Sequence, residues 1–269
     1  MPRTLVVMPT YDERDNLPEV VGQLLRLDRD VDILIVDDDS PDGTGALADQ
    51  LAEGSPGIHV LHHGPRRGLG AAYLDGFAWG LERDYERFVQ LDADGSHRPA
   101  DLPRLLEELD AGRDLAIGSR WADGGRVEDW PLRRRVLSRA GSAYARRLLG
   151  LRTRDVTGGY RAFTASALLR LELETVTSRG YCFQIDLLRR AAHEHVDVAE
   201  VPIVFRQRVA GRSKMSTRII GEALVQVTRW AVADRFQRRE PDPSTRRGPG
   251  RHAATPRDAE PRRVSRLGE

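Results

Sequence analysis

The sequence predicts an α/β protein with a mostly parallel central sheet flanked by helices, which is a Rossmann-like arrangement. Short apolar runs, typical of buried parallel strands, alternate with segments whose apolar residues recur at helical spacing. Loops rich in turn residues or glycine separate these segments. The chain has 269 residues, 40% of them hydrophobic, so it is long enough to form one large α/β domain.

In the first half of the chain, predicted strands and helices alternate. Five apolar runs predict strands, at residues 5–8, 32–36, 58–61, 88–91 and 115–118. The segment NLPEVVGQLLRL, which begins at Asn16, has the spacing of a helix, and a second helix at residues 46–51 follows the turn-rich loop DDDSPDGT. A glycine-rich loop leads into a third helix within GPRRGLGAAYLDGFAWGL, and residues 102–109 predict a fourth.

The second half has a different pattern. The segment WPLRRRVLSRAGSAYARRLLG mixes arginines with apolar residues, and TGGYRAF, residues 157–163, predicts a turn. A helix is predicted in GYCFQIDLLRRAAHEH, a strand in VAEVPIVF and a last amphipathic helix within residues 211–236. After Arg238 the composition changes to Pro, Arg, Gly, Ser and acids, so we expect one catalytic domain at residues 1–238 and a disordered tail at residues 239–269.

Composition excludes several classes of protein. A net charge of +1 argues against a nucleic-acid partner. The single cysteine, Cys182, allows no internal disulfide, which favours a reducing compartment. The N-terminus lacks the apolar core of a signal peptide, and no apolar run approaches the ~20 residues that cross a bilayer. These features predict a soluble or peripheral protein with no transmembrane segment.

Arginine fills almost every cationic position. Of 42 basic residues only Lys214 is a lysine, and codon bias accounts for most of this skew without explaining why one lysine remains. An ammonium is a compact point charge, whereas a guanidinium is a planar fork. We therefore interpret Lys214 as a position where an arginine guanidinium does not fit.

The strongest indication of function lies in QLDADGSH, directly after the fourth predicted strand. In a parallel sheet, ligands bind beyond the carboxyl ends of the strands, and the loops at those ends carry Glu13, Asp37, Asp38, Asp39, Asp92, Asp94 and Arg120. Because Gly95 permits a turn, Asp92 and Asp94 can reach one cation, and hard carboxylate oxygens suit Mg²⁺ or Mn²⁺ with a nucleotide diphosphate. Ser96 completes the shell or holds a bound water. The alternative is a solvated acidic turn.

Seven motifs occur in an order that resembles the polyprenyl-phosphate (dolichol-phosphate) mannose synthases of glycosyltransferase family 2. They are MPTYDERDN, VDDDSPDGT, RGLGAAYLDGF, LDADGSHRP, IGSRWADGGRVEDWPLRRRVLSRAG, DVTGGYRAF and VPIVFRQRVAGRSKMS. The resemblance covers residues 4–236 and implies a GT-A fold. It also implies transfer of mannose, with inversion, from GDP-mannose to a lipid phosphate. The alternatives are the same chemistry with UDP-glucose and a nucleotide-sugar-binding module without catalysis.

The resemblance also implies roles for particular residues. Donor binding falls to Pro9, Tyr11, Glu13, Val36, Asp38, Asp92, Ala93, Asp94, Arg208 and Lys214. Asp92, Asp94 and Ser96 match the metal motif, while Arg120, Arg134 and Ser138 match the acceptor-phosphate site. The implied catalytic set is Asp94, Arg120, Arg134 and Lys214. Each role has a structural alternative. Tyr11 would be a packed aromatic, and Glu13 and Asp38 would cap helices. Arg134 would belong to a solvated basic face, and Arg120 would form an ion pair with Asp92 or Asp94.

The helix that begins within GYCFQID bears on the acceptor. Related enzymes with hydroxyl acceptors carry an aspartate base there, whereas Gln184 occupies that position in this chain and Asp186 lies two residues on. A glutamine cannot accept a proton, and a phosphate acceptor, being mostly dianionic at neutral pH, needs no general base. For both residues the alternative is helix capping.

The lipid acceptor implies contact with a membrane, and we expect a peripheral protein on the cytoplasmic face. Residues 132–149 and 219–236 are arginine-bearing amphipathic segments of the kind that lie on a bilayer surface. Ordinary packing of these helices in the core and a separate membrane-anchoring subunit are the two alternatives.

Overall fold

The computed structural model describes residues 2–178, 180–207 and 217–237. The predicted tail at residues 239–269 lies outside these ranges, as do Arg208 and Lys214. The tail, the domain boundary at residue 238 and the roles of the two cations therefore stay predictions.

Strands and helices alternate as predicted through the first half of the chain. The strands are β1 Thr4–Thr10, β2 Asp32–Asp37, β3 Ile58–His62, β4 Arg87–Gln90, β5 Leu115–Ser119, β6 Arg126–Val127, β7 Arg161–Thr164, β8 Val198–Pro202 and β9 Val204–Phe205. The helices are α1 Leu17–Leu25, α2 Thr44–Glu53, α3 Leu69–Leu81, α4 Leu102–Asp110, α5 Leu132–Leu149, α6 Ala165–Arg170, α7 Tyr181–His193 and α8 Thr217–Gln237.

Within the described residues, seven strands form one sheet in the order β3-β2-β1-β4-β7-β5-β8. Every neighbouring pair is parallel except those that β7 makes with β4 and β5. Side chains of β1 alternate between two cores: Leu5 and Val7 face a cluster that includes α3 and α7, whereas Val6 and Met8 face one that includes α1 and α4. Helices therefore cover both faces, which explains why the central strands are apolar throughout.

Two predictions for the second half were wrong. Residues 157–163 were predicted as a turn, but Arg161–Thr164 forms β7 at the centre of the sheet. An arginine rarely lies in a central strand, so the sequence argued against this assignment. The predicted strand VAEVPIVF is divided at Ile203 into β8 and β9, and β9 pairs with β6 in a second, two-stranded sheet.

The two amphipathic segments are only partly exposed. Helices α5 and α8 pack together, and the hydroxyls of Tyr144 and Thr228 are 2.7 Å apart. Val227 and Ala231 of α8 are buried in the core, as the packing alternative requires, whereas the first two turns of α5 expose Leu132 and Val136. None of the described helices is long and apolar enough to cross a membrane.

Candidate active site

The sheet topology brings the predicted site residues to one edge. β1, β2, β4 and β5 run parallel, so the loops that follow them lie at the same edge of the sheet. Because β7 is antiparallel, the residues that precede it, Thr157 to Tyr160, also reach this edge, between β4 and β5. The edge therefore combines acids from three strand ends, Arg120 from a fourth, and a loop that the sequence did not assign to it.

The predicted nucleotide-binding residues cluster at the ends of β1 and β2. Pro9 and Val36 are directly opposite each other in the register of these strands. The guanidinium of Arg66, in the glycine-rich loop, lies over the ring of Tyr11 with its central carbon 3.5 Å from the ring centroid. Tyr11 therefore has a cationic neighbour that the sequence analysis missed, although Arg66 belongs to the quoted motif GPRRGLG.

Asp38 holds the glycine-rich loop in place. Its buried carboxylate accepts hydrogen bonds from the backbone N–H groups of Arg67 and Gly68, both at 2.7 Å, and lies 3.3 Å from Nδ1 of His63. The carboxylate of Glu13 accepts a 2.7 Å bond from the side chain of Asn16, the residue before α1. Asp38 thus fixes the backbone of the glycine-rich loop beside the end of β2.

The two carboxylates of the metal motif are held by different partners. The hydroxyl of Tyr73, which is fully buried, donates to Oδ1 of Asp92 at 2.8 Å. The backbone N–H of Ser96 donates to Oδ1 of Asp94 at 3.0 Å, across the turn at Gly95, whose φ is 70°. The turn that Gly95 was predicted to permit is therefore present.

These residues fit Mg²⁺ or Mn²⁺ as part of a larger ligand set. Carboxylate oxygens are hard donors of the kind that these ions prefer. Among the described residues, no three His, Cys, Asp or Glu side chains form a group that would hold a metal ion by themselves. Asp92 and Asp94 match the usual Mg²⁺ arrangement, in which one or two carboxylates act together with substrate phosphates and water.

Tyr73 belongs to this site, although in the sequence it reads as an ordinary apolar residue of α3. We expect Tyr73→Phe, which keeps the ring and removes the hydroxyl, to weaken metal-dependent GDP binding about tenfold, because groups that orient a metal ligand are typically worth that much. Tyr85→Phe is the matched control, since the Tyr85 hydroxyl donates to Asp32, a carboxylate outside the metal motif. Titration of GDP binding with Mn²⁺ measures the effect, and equal affinities for the two variants would contradict it.

Arg120 has a buried partner that the sequence analysis missed. Its Nε and Nη2 atoms donate to the two oxygens of Asp155, each at 2.7 Å, and its backbone N–H donates to the same carboxylate at 3.0 Å. Nη2 also donates to the hydroxyl of Thr157 at 2.8 Å. The alternative of an ion pair with Asp92 or Asp94 stays a prediction, and the pair with Asp155 is one that the sequence analysis missed. The sequence contains no signal for a pair separated by 35 residues.

The Asp155 carboxylate is fully buried and remains ionised. Burial by itself raises its pKa, but the charge and hydrogen bonds of Arg120 outweigh burial and hold the pKa below its usual value. Arg120 is therefore fixed at the end of β5 by a buried bidentate contact.

Arg134, at the start of α5, reaches the same aromatic surface as Arg120. Its guanidinium carbon lies 3.9 Å from the ring centroid of Trp130, and that of Arg120 lies 5.6 Å from the same ring. Ser138 is half-buried and, being four residues further along α5, lies on the same face of the helix as Arg134. Arg120 and Arg134 thus meet at the ring of Trp130, and Ser138 lies one turn further along α5.

Arg161, at the start of β7, is a buried cation that the sequence analysis missed. It donates to the backbone carbonyls of Gly158 at 2.9 Å, Gln184 at 2.8 Å and Val156 at 3.2 Å. Burial lowers its pKa to about 9, so it remains charged at neutral pH. Arg161 ties the 156–158 loop to the first turns of α7, and the motif DVTGGYRAF, with charges at both ends, is the only signal of this role in the sequence.

The two polar residues of α7 do not cap the helix. Gln184 and Asp186 lie inside α7, which is preceded by Gly180, so the capping alternative was wrong for both. The Asp186 carboxylate accepts from the hydroxyl of Ser178 at 2.8 Å and from Nε of Arg190 at 3.4 Å. Gln184 is buried, and its Nε2 lies 3.8 Å from the point where a Cβ at Gly159 would be; Oδ2 of Asp92 lies 3.6 Å from the same point.

His97, directly after the metal motif, is buried against two aromatic rings. Its ring lies 5.3 Å from that of Tyr160 and 4.9 Å from that of Phe205, measured between centroids. Burial lowers its pKa to about 4, so the imidazole is neutral at neutral pH. His97 therefore adds no positive charge to the cluster of carboxylates.

The fold and site define a nucleotide-sugar transferase, and comparison with known proteins supports this class. The chain belongs to glycosyl transferase family 2, whose model matches residues 5–171, more than half of the sequence. It is 53% identical over 237 residues to a polyprenol monophosphomannose synthase from Mycolicibacterium smegmatis, covering 88% of this chain and 89% of the relative. It is 49% identical over 235 residues to an undecaprenyl-phosphate mannosyltransferase from Micrococcus luteus, covering 87% and 96% of the two chains. The predicted family and glycosyltransferase class are confirmed.

Two solved structures share the fold. One is a mannosyltransferase from Pyrobaculum calidifontis in complex with GDP-mannose and Mn²⁺ (TM-score 0.59, 22% identity), and the match covers 87% of this chain but only 65% of that one. The other is a glucosyl-3-phosphoglycerate synthase from Mycobacterium tuberculosis with Mn²⁺, UDP and phosphoglyceric acid (TM-score 0.62, 19% identity), with 90% of this chain and 80% of that one covered. The predicted GT-A fold is confirmed.

Proposed function

We propose that this protein transfers mannose from GDP-mannose to a polyprenyl monophosphate, with inversion, and so makes a lipid-linked mannose donor. The observation that carries this proposal is the arrangement of the sheet edge. The carboxylates of Asp92 and Asp94 lie at the end of β4, and the guanidinium groups of Arg120 and Arg134 share the indole of Trp130. The names of the two relatives, at 53% and 49% identity, support the same reaction.

The donor would lie across the ends of β1, β2 and β4. The nucleoside would occupy the pocket around Tyr11, Val36 and Asp38, with Pro9, Glu13 and Ala93 beside it, and the diphosphate would extend to Asp92 and Asp94. A divalent cation, Mg²⁺ or Mn²⁺, held there with help from Ser96, would offset the charge that develops on the departing diphosphate. Arg208 and Lys214 are proposed to contact the same phosphates.

The acceptor would need positioning rather than a base. A phosphate monoester has a second pKa of about 6, so its oxygen is already a nucleophile at neutral pH. Arg120, Arg134 and Ser138 would bind it and reduce its repulsion from the donor diphosphate. Gln184, whose side chain approaches the same backbone position as that of Asp92, is an amide and cannot accept a proton, which supports a phosphate acceptor over a hydroxyl acceptor.

A transfer assay tests this function directly. Purified protein is incubated with Mg²⁺, a short polyprenyl phosphate and either labelled GDP-mannose or labelled UDP-glucose, and the organic phase is examined for labelled lipid. We expect product from GDP-mannose. Product from UDP-glucose alone would support the glucosyl alternative, and nucleotide-sugar binding without product would support a binding module.

We also propose that the start of α5 contacts the membrane that carries the acceptor, on its cytoplasmic face. Leu132 is 75% exposed and Val136, one turn later, is 58% exposed, while Arg133, Arg135 and Arg139 are exposed beside them. An apolar stripe flanked by arginines suits an anionic lipid surface. The same helix carries Arg134 and Ser138, so this contact would place the lipid phosphate near its proposed site.

Vesicle sedimentation tests the contact. We expect wild-type protein to bind vesicles weakly, and more strongly when they contain phosphatidylglycerol. Replacing Leu132 and Val136 together by serine should weaken binding about tenfold, because two apolar side chains lose their burial in lipid. Leu169→Ser, at an equally exposed leucine of α6, is the control and should bind as wild type does. Binding that is unaffected by lipid charge and by the double substitution would favour a separate membrane subunit.

A further inference from the structure

Gln184 is a buried polar side chain whose acceptor lacks a donor. Only 4% of the residue is exposed, and among the described residues no donor lies within hydrogen-bond distance of its Oε1. A buried carbonyl oxygen that has lost its water and gained no donor costs free energy, so native proteins rarely keep one without a purpose. The backbone carbonyl of the same residue is held by Arg161, which keeps this turn of α7 in place.

The position of Gln184 relates it to the donor site. Oδ2 of Asp92, Nε2 of Gln184 and Cε1 of His97 all lie between 3.6 and 3.9 Å from the point where a Cβ would stand at residue 159. The side-chain amide of Gln184 and the carboxylate of Asp92 therefore approach the same backbone position, at Gly159. A sugar attached to a diphosphate at Asp92 would lie close to this amide.

The chemistry of the substrates restricts what can satisfy Gln184. Oε1 needs a donor, whereas an ionised diphosphate and a dianionic acceptor phosphate offer only acceptors. The nucleoside would bind at the ends of β1 and β2, beyond β4. Apart from the side chains of Arg208 and Lys214, which lie outside the described residues, the donors next to Asp92 are then the hydroxyl groups of the sugar.

We propose that Gln184 accepts a hydrogen bond from a hydroxyl group of the donor sugar and thereby contributes to the choice of sugar. This inference rests on the proposed function for the presence of a nucleotide sugar, but not on the identity of the lipid. A site built to bind one hydroxyl discriminates against sugars that lack it or present it differently, because its buried acceptor is then left unpaired.

The test compares binding of GDP with binding of GDP-mannose, by calorimetry with Mn²⁺ and without acceptor. Gln184→Leu has similar size and removes the unsatisfied oxygen. We expect it to bind GDP as wild type does and GDP-mannose about tenfold more weakly, which is ~1.4 kcal/mol, with an unchanged or higher Tm. If Gln184 has only a structural role, the substitution should instead lower the Tm and weaken the binding of both ligands equally.

Analogues of GDP-mannose that each lack one hydroxyl identify the partner. One analogue should bind wild type about tenfold more weakly than GDP-mannose, and Gln184→Leu should bind that analogue and GDP-mannose equally. Asp186→Asn is the control: it disturbs the contacts with Ser178 and Arg190 two residues further along α7, so the Tm should fall while the ratio of the two affinities stays constant.

Several results would overturn the inference. The first is that Gln184→Leu has the same ratio of GDP-mannose affinity to GDP affinity as wild type. The second is that wild type binds all deoxy analogues equally, which would assign a water molecule to Oε1. The third is that wild type binds no nucleotide sugar more tightly than the corresponding nucleoside diphosphate. The proposed function fails separately. If binding follows the expected pattern with UDP and UDP-glucose in place of the guanosine compounds, or if no lipid product forms, the donor or acceptor assignment is wrong while the role of Gln184 stands.

Discussion

Asp94→Ala is expected to abolish mannose transfer, with a loss of at least about a thousandfold, because in the proposed site a cation that offsets charge on the leaving diphosphate would lose one of its two carboxylate ligands. Metal-dependent binding of GDP should be lost at the same time. The structure predicts that the fold survives, because the substitution relieves repulsion between the Asp94 and Asp92 carboxylates, which offsets the loss of the bond from the Ser96 backbone.

Three measurements check this expectation. Transfer is assayed at saturating donor, GDP binding is titrated with and without Mn²⁺, and the Tm is compared with that of wild type. Asp123→Ala is the control, because the Asp123 side chain is 94% exposed and its partner is Arg154 at the surface. If the Asp94 variant and EDTA-treated wild type both retain full activity, Asp92 and Asp94 do not form a metal site.

The parts of the site that the sequence predicted are those that a parallel sheet brings together automatically. Pro9, Val36 and Asp92 each follow or end a buried strand, and parallel strands that neighbour one another end at one edge. Short apolar runs were enough to locate those strands, because strands covered on both faces are apolar throughout. The fold class and this half of the site therefore depend on local patterns.

The parts that the sequence did not predict depend on contacts between distant segments. Arg161 lies in a central strand because three backbone carbonyls accept hydrogen bonds from its guanidinium, two from the 156–158 loop and one from the first turns of α7. Tyr73 looks like a core aromatic of α3 until Asp92 is placed 2.8 Å from its hydroxyl. Several acids in the sequence could pair with Arg120, and no local pattern distinguishes among them. In the structure, Arg120 donates to Asp155.

Asp155→Asn is expected to have the largest effect on stability. Arg120 is only 7% exposed and Asp155 is fully buried, so the substitution leaves a buried guanidinium without its counter-ion. Breaking a buried pair from one side typically costs about 3–5 kcal/mol of unfolding free energy. Asp197→Asn is the matched control, because Asp197 also receives two hydrogen bonds from one arginine, Arg113, but at the surface, where such pairs contribute about 0–1 kcal/mol.

The pH dependence of this effect has a definite sign. The pKa of Asp155 is lower in the folded protein than its unfolded value of about 3.9, so its contribution to stability is complete above that pH and is lost as the pH falls through the folded pKa. Denaturant unfolding should therefore show a constant difference between wild type and Asp155→Asn from about pH 5 to pH 7. The difference should narrow below about pH 4, and a gap that widens in acid would contradict the assignment of this ion pair.

Measurements of transfer activity distinguish two roles of Asp155, which are to hold Arg120 in place and to stabilise the fold. Replacing Arg120 and Asp155 together by leucine removes both charges and should restore part of the stability that Asp155→Asn loses, because the Arg120 guanidinium is no longer buried without Asp155. Transfer should stay at least a hundredfold below wild type in both variants, since neither holds the Arg120 guanidinium in place for the proposed acceptor phosphate. GDP binding, which is proposed to involve the ends of β1 and β2, should change little. Wild-type transfer by the folded double variant would remove Arg120 from the acceptor site and leave it a purely structural cation.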